Sequence, residues 1–204
     1  MINKFFQNTC KPQGVGGKLM VNMMNKGHAS LSGWGLSHIA LKDEMKILDA
    51  GCGGGANLAT MLSDAPHICA VGIDYSPVSV EKSIATNQKT IQAGRCQILQ
   101  GDVSALPFEG GSFDLVTAFE TIYFWPELDS CFHQIYQVLR TGGTFLICNE
   151  ESDPENDKWS KVIQGMTVYS GDDIKHRLQR AGFINISCHY ETKHHWICLT
   201  AEKV

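Results

Sequence analysis

From residue 46 onward, short apolar runs alternate with stretches that carry helix signals, and this alternation restricts the folds open to the chain. The runs do not alternate cleanly between apolar and polar residues, which is typical of strands buried on both faces. Strands and helices in such alternation predict a parallel sheet with helices on both faces. The predicted strands are Lys46–Ala50, Ile68–Asp74, Cys96–Gln100, Phe113–Phe119 and Thr144–Asn149, and the predicted helices are Asn57–Leu62, Pro77–Gln92 and Leu128–Leu139.

The two ends of the chain differ from this alternating middle. Residues 1–45 contain no convincing strand, and we expect a helical lid there with short helices at Lys18–Asn25 and Leu36–Leu41. Near the other end, a helix at about Gly171–Ala181 precedes strands at Ile184–Tyr190 and Trp196–Glu202. We expect the last strand to be antiparallel. Without repeats or linkers, the sequence predicts one domain over residues 1–204, with the lid at 1–45 and the core at 46–204.

Composition and charge exclude several classes of protein. Of the 204 residues 43% are apolar, so the chain can bury a core and is not compositionally disordered. The 17 basic and 21 acidic residues give a net charge of −4, which leaves no basic excess to neutralise a phosphate backbone. Nucleic acid is therefore not an expected partner. No apolar stretch has the length needed to span a bilayer.

The cysteines and the first residues predict a cytoplasmic protein. The first ten residues turn polar before the apolar core of a signal peptide could form. The eight cysteines are scattered, form no C-x-x-C pair, and mostly lie within apolar runs. We expect them to be reduced thiols in a core rather than a disulfide framework.

A glycine-rich turn follows the first predicted strand and opens a helix. From Asp49 to Ala56 it reads Asp-Ala-Gly-Cys-Gly-Gly-Gly-Ala. Glycines let the backbone turn tightly and approach a ligand, and the helix N-terminus offers free N–H groups to an anionic group. Asp74 ends the next strand 19 residues after Gly55, where a carboxylate can accept both ribose hydroxyls. The turn also satisfies the permissive dinucleotide pattern G-x-G-x-x-G/A, so by itself it would suit NAD.

Five ordered segments resemble the motifs of class I S-adenosylmethionine-dependent methyltransferases. They are residues 46–55 (Lys-Ile-Leu-Asp-Ala-Gly-Cys-Gly-Gly-Gly), 71–76 (Val-Gly-Ile-Asp-Tyr-Ser), 101–108 (Gly-Asp-Val-Ser-Ala-Leu-Pro-Phe), 112–116 (Ser-Phe-Asp-Leu-Val) and 138–145 (Val-Leu-Arg-Thr-Gly-Gly-Thr-Phe). In the last segment Thr141 replaces the proline that the family usually has. The resemblance covers about residues 44–150 and extends to the final helix and strands at 171–202. It is strongest to the branch that contains the ubiquinone and menaquinone C-methyltransferases.

This resemblance implies an α/β fold, a Rossmann-like doubly wound sheet of seven strands in the order 3-2-1-4-5-7-6. It also implies S-adenosyl-L-methionine as cofactor and a small molecule as methyl acceptor. By position, Gly51 and Gly53 line the methionine part of the cofactor and Asp74 holds the ribose. The whole set implied to bind the cofactor is Asp49, Gly51, Gly53, Asp74, Tyr75, Asp102, Val103 and Phe119, with Tyr75 beside the adenine and Asp102 accepting from its amino group near the Val103 N–H.

Two residues are candidates for chemistry on the acceptor. The segment from Phe119 to Pro126 is unusually aromatic, and aromatic faces attract cations and line apolar pockets. Within it, Glu120 is placed by the resemblance near the sulfonium and ammonium of the cofactor. His28 and Trp34, in the expected lid, could face the transferred methyl group; packing or capping is the alternative. Positioning of the acceptor in line with the S–CH₃ bond is the main expected task, and a base is needed only for a protonated acceptor.

Other functions and other cofactors remain open at this point. The glycine turn leaves an NAD-dependent oxidoreductase as an alternative, and intact cofactor motifs would also suit a non-catalytic adenosylmethionine-binding module. We expect no metal site, because His194 and His195 are adjacent in a predicted strand and point to opposite faces. The sequence leaves the oligomeric state undetermined.

Overall fold

A computed structural model describes residues 14–156 and 158–204 of the chain. Its helices are α1 Gly14–Gly27, α2 Ala29–Leu36, α3 Ala56–Asp64, α4 Pro77–Thr86, α5 Gln88–Gln92, α6 Leu128–Val138 and α7 Gly171–Arg180. Its strands are β1 Lys46–Ala50, β2 Cys69–Asp74, β3 Cys96–Gln100, β4 Phe113–Phe119, β5 Leu139–Asn149, β6 Phe183–Glu191 and β7 Trp196–Lys203. Short 3₁₀ turns follow β3 at Val103–Ala105 and β4 at Ile122–Phe124.

The strands form one seven-stranded sheet in the order β3-β2-β1-β4-β5-β7-β6. The pairings from β3 to β5 are parallel, and β7 is antiparallel to both β5 and β6. The predicted strand order, the doubly wound architecture and the antiparallel last strand are therefore confirmed. The order reverses between β1 and β4, and ligands of open α/β sheets bind beside such a reversal, at the carboxyl ends of the strands.

Two apolar clusters cover the opposite faces of the sheet. One contains Phe132 and Ile135 of α6 packed on Phe145 of β5. The other contains Leu58 and Met61 of α3 together with Leu31 of α2. Burial on both faces explains why the central strands are continuous apolar runs. Among the described residues, no helix combines the length and apolar character that crossing a membrane requires.

Several helix boundaries differ from the sequence predictions. The single helix predicted over Pro77–Gln92 is broken at Asn87, whose Nδ2 donates to the carbonyl oxygens of Gly55 and Ser83. The predicted start of that helix is confirmed, because the Ser76 Oγ accepts from the N–H of Ser79.

In the lid region, the helix predicted at Lys18–Asn25 extends over Gly14–Gly27. The helix predicted at Leu36–Leu41 is wrong, because the second helix ends at Leu36. Residues 1–13, which include the first part of the predicted lid and Cys10, lie outside the described residues.

Strand β5 is longer than predicted, since it begins at Leu139 rather than Thr144. Its first residue pairs with Phe113 of β4, and the Nε of Arg140 lies 2.7 Å from the Oδ1 of Asp114. Gly142 and Gly143, which lie between the predicted helix and the predicted strand, therefore belong to the strand. The helix itself ends at Val138.

Candidate functional site

A cavity of about 540 Å³ lies at the carboxyl ends of the strands, beside the reversal of strand order. One part of its wall comes from the glycine turn after β1, from the end of β2 and from the residues that follow β3. Another part comes from the segment after β4, the segment after β5 and the helices α1 and α2. Of the residues predicted for the site, those that line the cavity are His28, Gly51, Gly53, Asp74, Tyr75, Asp102, Val103, Phe119 and Glu120.

Gly51 and Gly53 meet different surroundings although both have a positive φ, of 80° and 51°. A Cβ on Gly51 would lie 2.1 Å from the Oγ1 of Thr121, so the close approach of the turn to the end of β4 requires glycine. A Cβ on Gly53 would have no atom within 4 Å, although this residue lines the cavity. The backbone of Gly53 therefore faces open space in the cavity, where a ligand can approach it closely.

Asp74 ends β2 with an almost fully buried carboxylate. Its Oδ2 accepts from the N–H of Gly53 and its Oδ1 from the N–H of Ser76, both at 2.9 Å. Burial raises the pKa of this carboxyl, and the two backbone hydrogen bonds oppose the rise. Each carboxylate oxygen keeps further acceptor capacity, so the group can also take hydroxyl donors from the cavity.

The residues after β3 form the wall next to Asp74. The Oδ1 of Asp102 accepts from both the N–H and the hydroxyl of Ser104 at 2.8 Å, which caps the 3₁₀ turn that begins at Val103. Through this contact Asp102 caps the loop. Its second carboxylate oxygen makes no hydrogen bond with the described residues. Tyr75 is 37% exposed and lines the cavity. Adenine binding by these residues stays a prediction.

Asp49 does not line the cavity, contrary to a direct reading of the motif. Its side chain is 1% exposed, and its Oδ1 accepts from the Thr117 hydroxyl of β4 at 2.8 Å. Its Oδ2 is buried and has no hydrogen-bond partner among the described residues. Burial raises the pKa of Asp49 to about 7. Asp49 therefore lies behind the glycine turn, and a role in cofactor binding would be indirect.

Glu120 follows β4 in a left-handed conformation, with φ of 58°. Its Oε1 accepts from the N–H of Glu150, the residue after β5, and lies 3.3 Å from the hydroxyl of Tyr123. Its Oε2 lies 3.9 Å from the Nε2 of His28, which in turn lies 3.7 Å from the Oε2 of Glu150. The two residues predicted for chemistry on the acceptor, His28 and Glu120, are distant in sequence but lie together in the structure. Glu150, which was not predicted, lies beside them.

Burial changes the proton affinities of this group. It raises the pKa of Glu120 to about 8, an effect that the nearby Glu150 and Glu151 carboxylates reinforce and that the Glu150 N–H and Tyr123 contacts oppose. It lowers the pKa of His28, and the Glu150 carboxylate partly restores it. Glu120 is therefore mostly protonated and His28 mostly neutral at pH 7. Glu120, Glu150 and His28 place three potential ligand atoms within 4.8 Å, so the prediction of no metal site stays a prediction.

The aromatic segment after β4 divides between core and cavity. Ile122 is fully buried, whereas Tyr123, Phe124 and Trp125 line the cavity. The Trp125 indole N–H donates to the Thr121 hydroxyl at 3.1 Å. Trp34 does not reach the cavity: its ring packs on His38 and Trp196 at centroid distances of 4.9 and 6.0 Å. The hypothesis that Trp34 faces the transferred methyl group is therefore wrong, and packing is its role.

Sequence reasoning missed part of the wall. Residues Trp159, Ile163 and Met166 lie in a region for which the sequence predicted no function, and they line the cavity. They share an apolar character at spacings of three to four residues, which was the available signal. Glu151 holds the start of this segment, since its Oε1 accepts from the N–H groups of Ser152 and Asp153 at 3.0 Å.

The residues present fit a nucleoside with a cationic amino-acid tail. The Gly53 backbone leaves room for a ligand, Asp74 offers acceptors to hydroxyls, and Glu120 offers a carboxyl to a cation. S-adenosyl-L-methionine has ribose hydroxyls that need acceptors and positive charges that need a carboxylate, and it must lie close to the backbone of the turn.

Comparison with known proteins agrees with this geometry. The model of a family described as methyltransferase domain matches residues 41–198. A sterol 24-C-methyltransferase of Debaryomyces hansenii is 29% identical over 71% of this chain and 39% of its own length. A 24-methylenesterol C-methyltransferase of Arabidopsis thaliana is 30% identical over 71% of this chain and 43% of its own length. The chain thus spans about two-fifths of the length of these curated relatives.

Solved structures share the fold. A methyltransferase of Haloferax volcanii, described as putative and solved with its methyltransferase activator, superposes with a TM-score of 0.80 at 16% identity, over 91% of this chain and 93% of that one. A geranyl diphosphate C-methyltransferase of Streptomyces coelicolor, solved with S-adenosyl-L-homocysteine, has a TM-score of 0.76 at 10% identity, over 86% of this chain and 76% of that one. The chain therefore belongs to the methyltransferase domain family, the class I S-adenosylmethionine-dependent methyltransferases.

Proposed function

We propose that the protein transfers a methyl group from S-adenosyl-L-methionine to an apolar small-molecule acceptor. The observation that carries the proposal is one cavity with two kinds of lining residue. Its lining includes the glycine turn, Asp74 and Asp102, and also the apolar side chains of Phe124, Trp159 and Met166. A polar nucleoside and an apolar acceptor can therefore meet in the same enclosed space.

The chain's own residues do three things in this proposal. Gly53 and Asp74 hold the nucleoside, the aromatic and apolar residues orient the acceptor, and together they exclude water. When bound, S-adenosyl-L-methionine supplies an activated methyl group on a sulfonium. Because the methyl group is already activated, the placement of the acceptor atom accounts for most of the catalysis, and Glu120 is the carboxyl available where an acceptor must lose a proton.

The relatives favour an acceptor with an isoprenoid or sterol skeleton. They are named for sterols, and the Streptomyces enzyme for geranyl diphosphate. The apolar wall of Trp159, Ile163 and Met166 suits such a skeleton. The narrower assignment to the ubiquinone and menaquinone branch also stays a prediction; both acceptor classes are apolar, and the assay below includes both.

Ligand binding tests the cofactor part of the proposal. Adenosylhomocysteine should raise the melting temperature, because a ligand that binds only the folded state stabilises it, by about 2.7 kcal/mol at a hundredfold excess over Kd. NAD should have no effect. A shift with NAD and none with adenosylhomocysteine would support the oxidoreductase alternative instead.

Methyl transfer tests the activity. The protein is incubated with methyl-labelled S-adenosyl-L-methionine and a panel of sterols, linear isoprenoids and prenylated quinol precursors, with a polar metabolite extract as the contrasting pool. Label in an apolar product is expected. Binding of adenosylhomocysteine with no label in any pool would support the non-catalytic binding module.

We propose a cytoplasmic location as well. It is supported by the seven described cysteines, which are all unpaired thiols, as a reducing compartment requires.

A further inference from the structure

The cluster of Glu120, His28 and Glu150 connects the inside of the cavity to solvent. The exposed fraction of the side chain rises along the cluster from 15% for Glu120 through 29% for His28 to 48% for Glu150. All three line the cavity. Of these three residues, Glu120 is the most buried and Glu150 is the most exposed.

We infer that Glu120, His28 and Glu150 form a proton exit path, and hence that the acceptor of this enzyme loses a proton when it is methylated. The inference rests on the proposed function and adds to it both a class of acceptor and a role for Glu150. An acceptor that keeps all its protons, such as a thioether or a tertiary amine, would have no use for such a path.

The S–CH₃ bond breaks with its electron pair left on sulfur, and the acceptor atom forms the new bond to the methyl carbon. The acceptor's bond to hydrogen then breaks, its electron pair stays on the acceptor, and the proton goes to the Oε2 of Glu120. Glu120 must first be in its ionised form, which a cation bound in the cavity favours by lowering the pKa of this carboxyl. From there it passes to the Nε2 of His28 and on to Glu150 or water.

The distances permit these transfers after a small adjustment. The Glu120–His28 distance is 3.9 Å and the His28–Glu150 distance is 3.7 Å, so each must shorten by about 1 Å to reach the hydrogen-bond distance that proton transfer needs. The Glu150 N–H and the Tyr123 hydroxyl hold the Oε1 of Glu120, which leaves Oε2 directed to His28. The path therefore begins at a carboxyl with a fixed orientation.

Carboxylates and a phenol surround both inner members of the path. Glu150, Glu151 and Tyr123 act on Glu120, and Glu120 and Glu150 both lie within 4 Å of His28. The Glu150 carboxylate raises the pKa of both Glu120 and His28, so it favours a proton on each of them. Glu150 is also the most exposed of the three, so a proton that reaches it is in contact with solvent.

Coupling between His28 and Glu150 can be measured without an acceptor. The pKa of His28 is followed by NMR of its ring proton, in the presence of a chelator so that no cation binds the cluster. In Glu150→Gln the loss of a charge at 3.7 Å should lower the pKa of His28 by at least about 0.5. Glu155→Gln, an exposed carboxylate of the same segment, is the matched control and should leave His28 unchanged. An unchanged His28 pKa in Glu150→Gln would overturn the path.

Chemical rescue with imidazole distinguishes proton transfer by His28 from a purely structural role of this residue. With an acceptor found by the labelling assay, His28→Ala should slow single-turnover methyl transfer at least tenfold, and added imidazole should restore a large part of it. The affinity for adenosylhomocysteine should stay within twofold in His28→Ala and Glu150→Gln. A slow His28→Ala that imidazole does not restore would overturn the path. If the wild-type protein fails to bind adenosylhomocysteine, the proposed function fails instead, and the His28 titration is unaffected.

Discussion

The backbone N–H of Gly53 donates to the Oδ2 of Asp74 at 2.9 Å, which ties the glycine turn after β1 to the end of β2. The same carboxylate accepts from the N–H of Ser76, at the start of α4. Asp74 therefore organises two loops of the cavity before any ligand arrives. The predicted binding of ribose hydroxyls would use the same two oxygens as this structural role.

Asp74→Ala should weaken both binding and folding. The affinity for adenosylhomocysteine should fall about tenfold to a few hundredfold, because charge-assisted hydrogen bonds to two hydroxyls are lost. The free energy of unfolding should fall by about 1–3 kcal/mol, because the N–H groups of Gly53 and Ser76 lose their acceptor. Calorimetry and urea unfolding measure the two effects. Asp74→Asn, which keeps one acceptor oxygen, should lie between wild type and Asp74→Ala; full affinity in Asp74→Ala would place the ribose elsewhere.

Alanine substitutions at Gly51 and Gly53 should affect ligand affinity and protein stability to different extents. In Gly53→Ala the new Cβ enters open cavity space, so adenosylhomocysteine should bind at least tenfold more weakly, with a stability loss of about 1–2 kcal/mol from the positive φ alone. In Gly51→Ala the Cβ collides with Thr121, so the loss of stability should be larger. Melting temperatures and calorimetric affinities report both. Normal binding by Gly53→Ala would show that the ligand does not approach this turn.

Much of the fold follows from local sequence. The central strands could be predicted because burial on both faces leaves continuous apolar runs, and the start of α4 because Ser76 and Pro77 are local signals. The break at Asn87 could not be predicted, because it depends on a hydrogen bond from the Asn87 side chain to the carbonyl oxygen of Gly55, which is distant in sequence. The longer β5 likewise depends on its pairing with β4.

Some residues of the candidate site could likewise be predicted from the sequence, and others could not. Motif residues such as Gly53 and Asp74 could be placed from the sequence because their spacing is set by one strand–turn–helix unit. Glu150 could not, because its importance comes from the approach of α1, β4 and β5, which brings His28 to it. Asp49 shows the opposite case, since a motif position lies behind the cavity rather than in its wall.

Stability should fall as the pH rises toward 7, in part through Asp49. Burial raises its folded pKa to about 7, against an unfolded value of about 3.9, so the folded state holds the proton more tightly. This contribution is fully present below about pH 4 and is lost as the pH rises through 7, with a slope of at most about 1.4 kcal/mol per pH unit. Urea unfolding of wild type and Asp49→Asn from pH 4.5 to 8 measures it. The slope should be smaller in Asp49→Asn and unchanged in the exposed control Asp43→Asn; equal slopes in all three would contradict the raised pKa.

Cofactor binding should be linked to a proton on Glu120. Burial raises the pKa of this carboxyl to about 8, so in the free protein at pH 7 it is mostly protonated. A cation in the cavity favours the ionised form and lowers that pKa, so binding releases a proton. Affinity for S-adenosyl-L-methionine should therefore increase with pH, by at most about tenfold per pH unit, and level off above about pH 8. Adenosylhomocysteine, which lacks the sulfonium charge, should show a weaker dependence.

Calorimetry in two buffers of different ionisation enthalpy counts the released protons. At pH 7 wild type should release more protons with S-adenosyl-L-methionine than with adenosylhomocysteine. In Glu120→Gln this difference should disappear, because the amide cannot ionise, while the gross fold persists since the amide oxygen can still accept from the Glu150 N–H. Equal proton release in wild type and Glu120→Gln would show that the sulfonium charge does not act on Glu120.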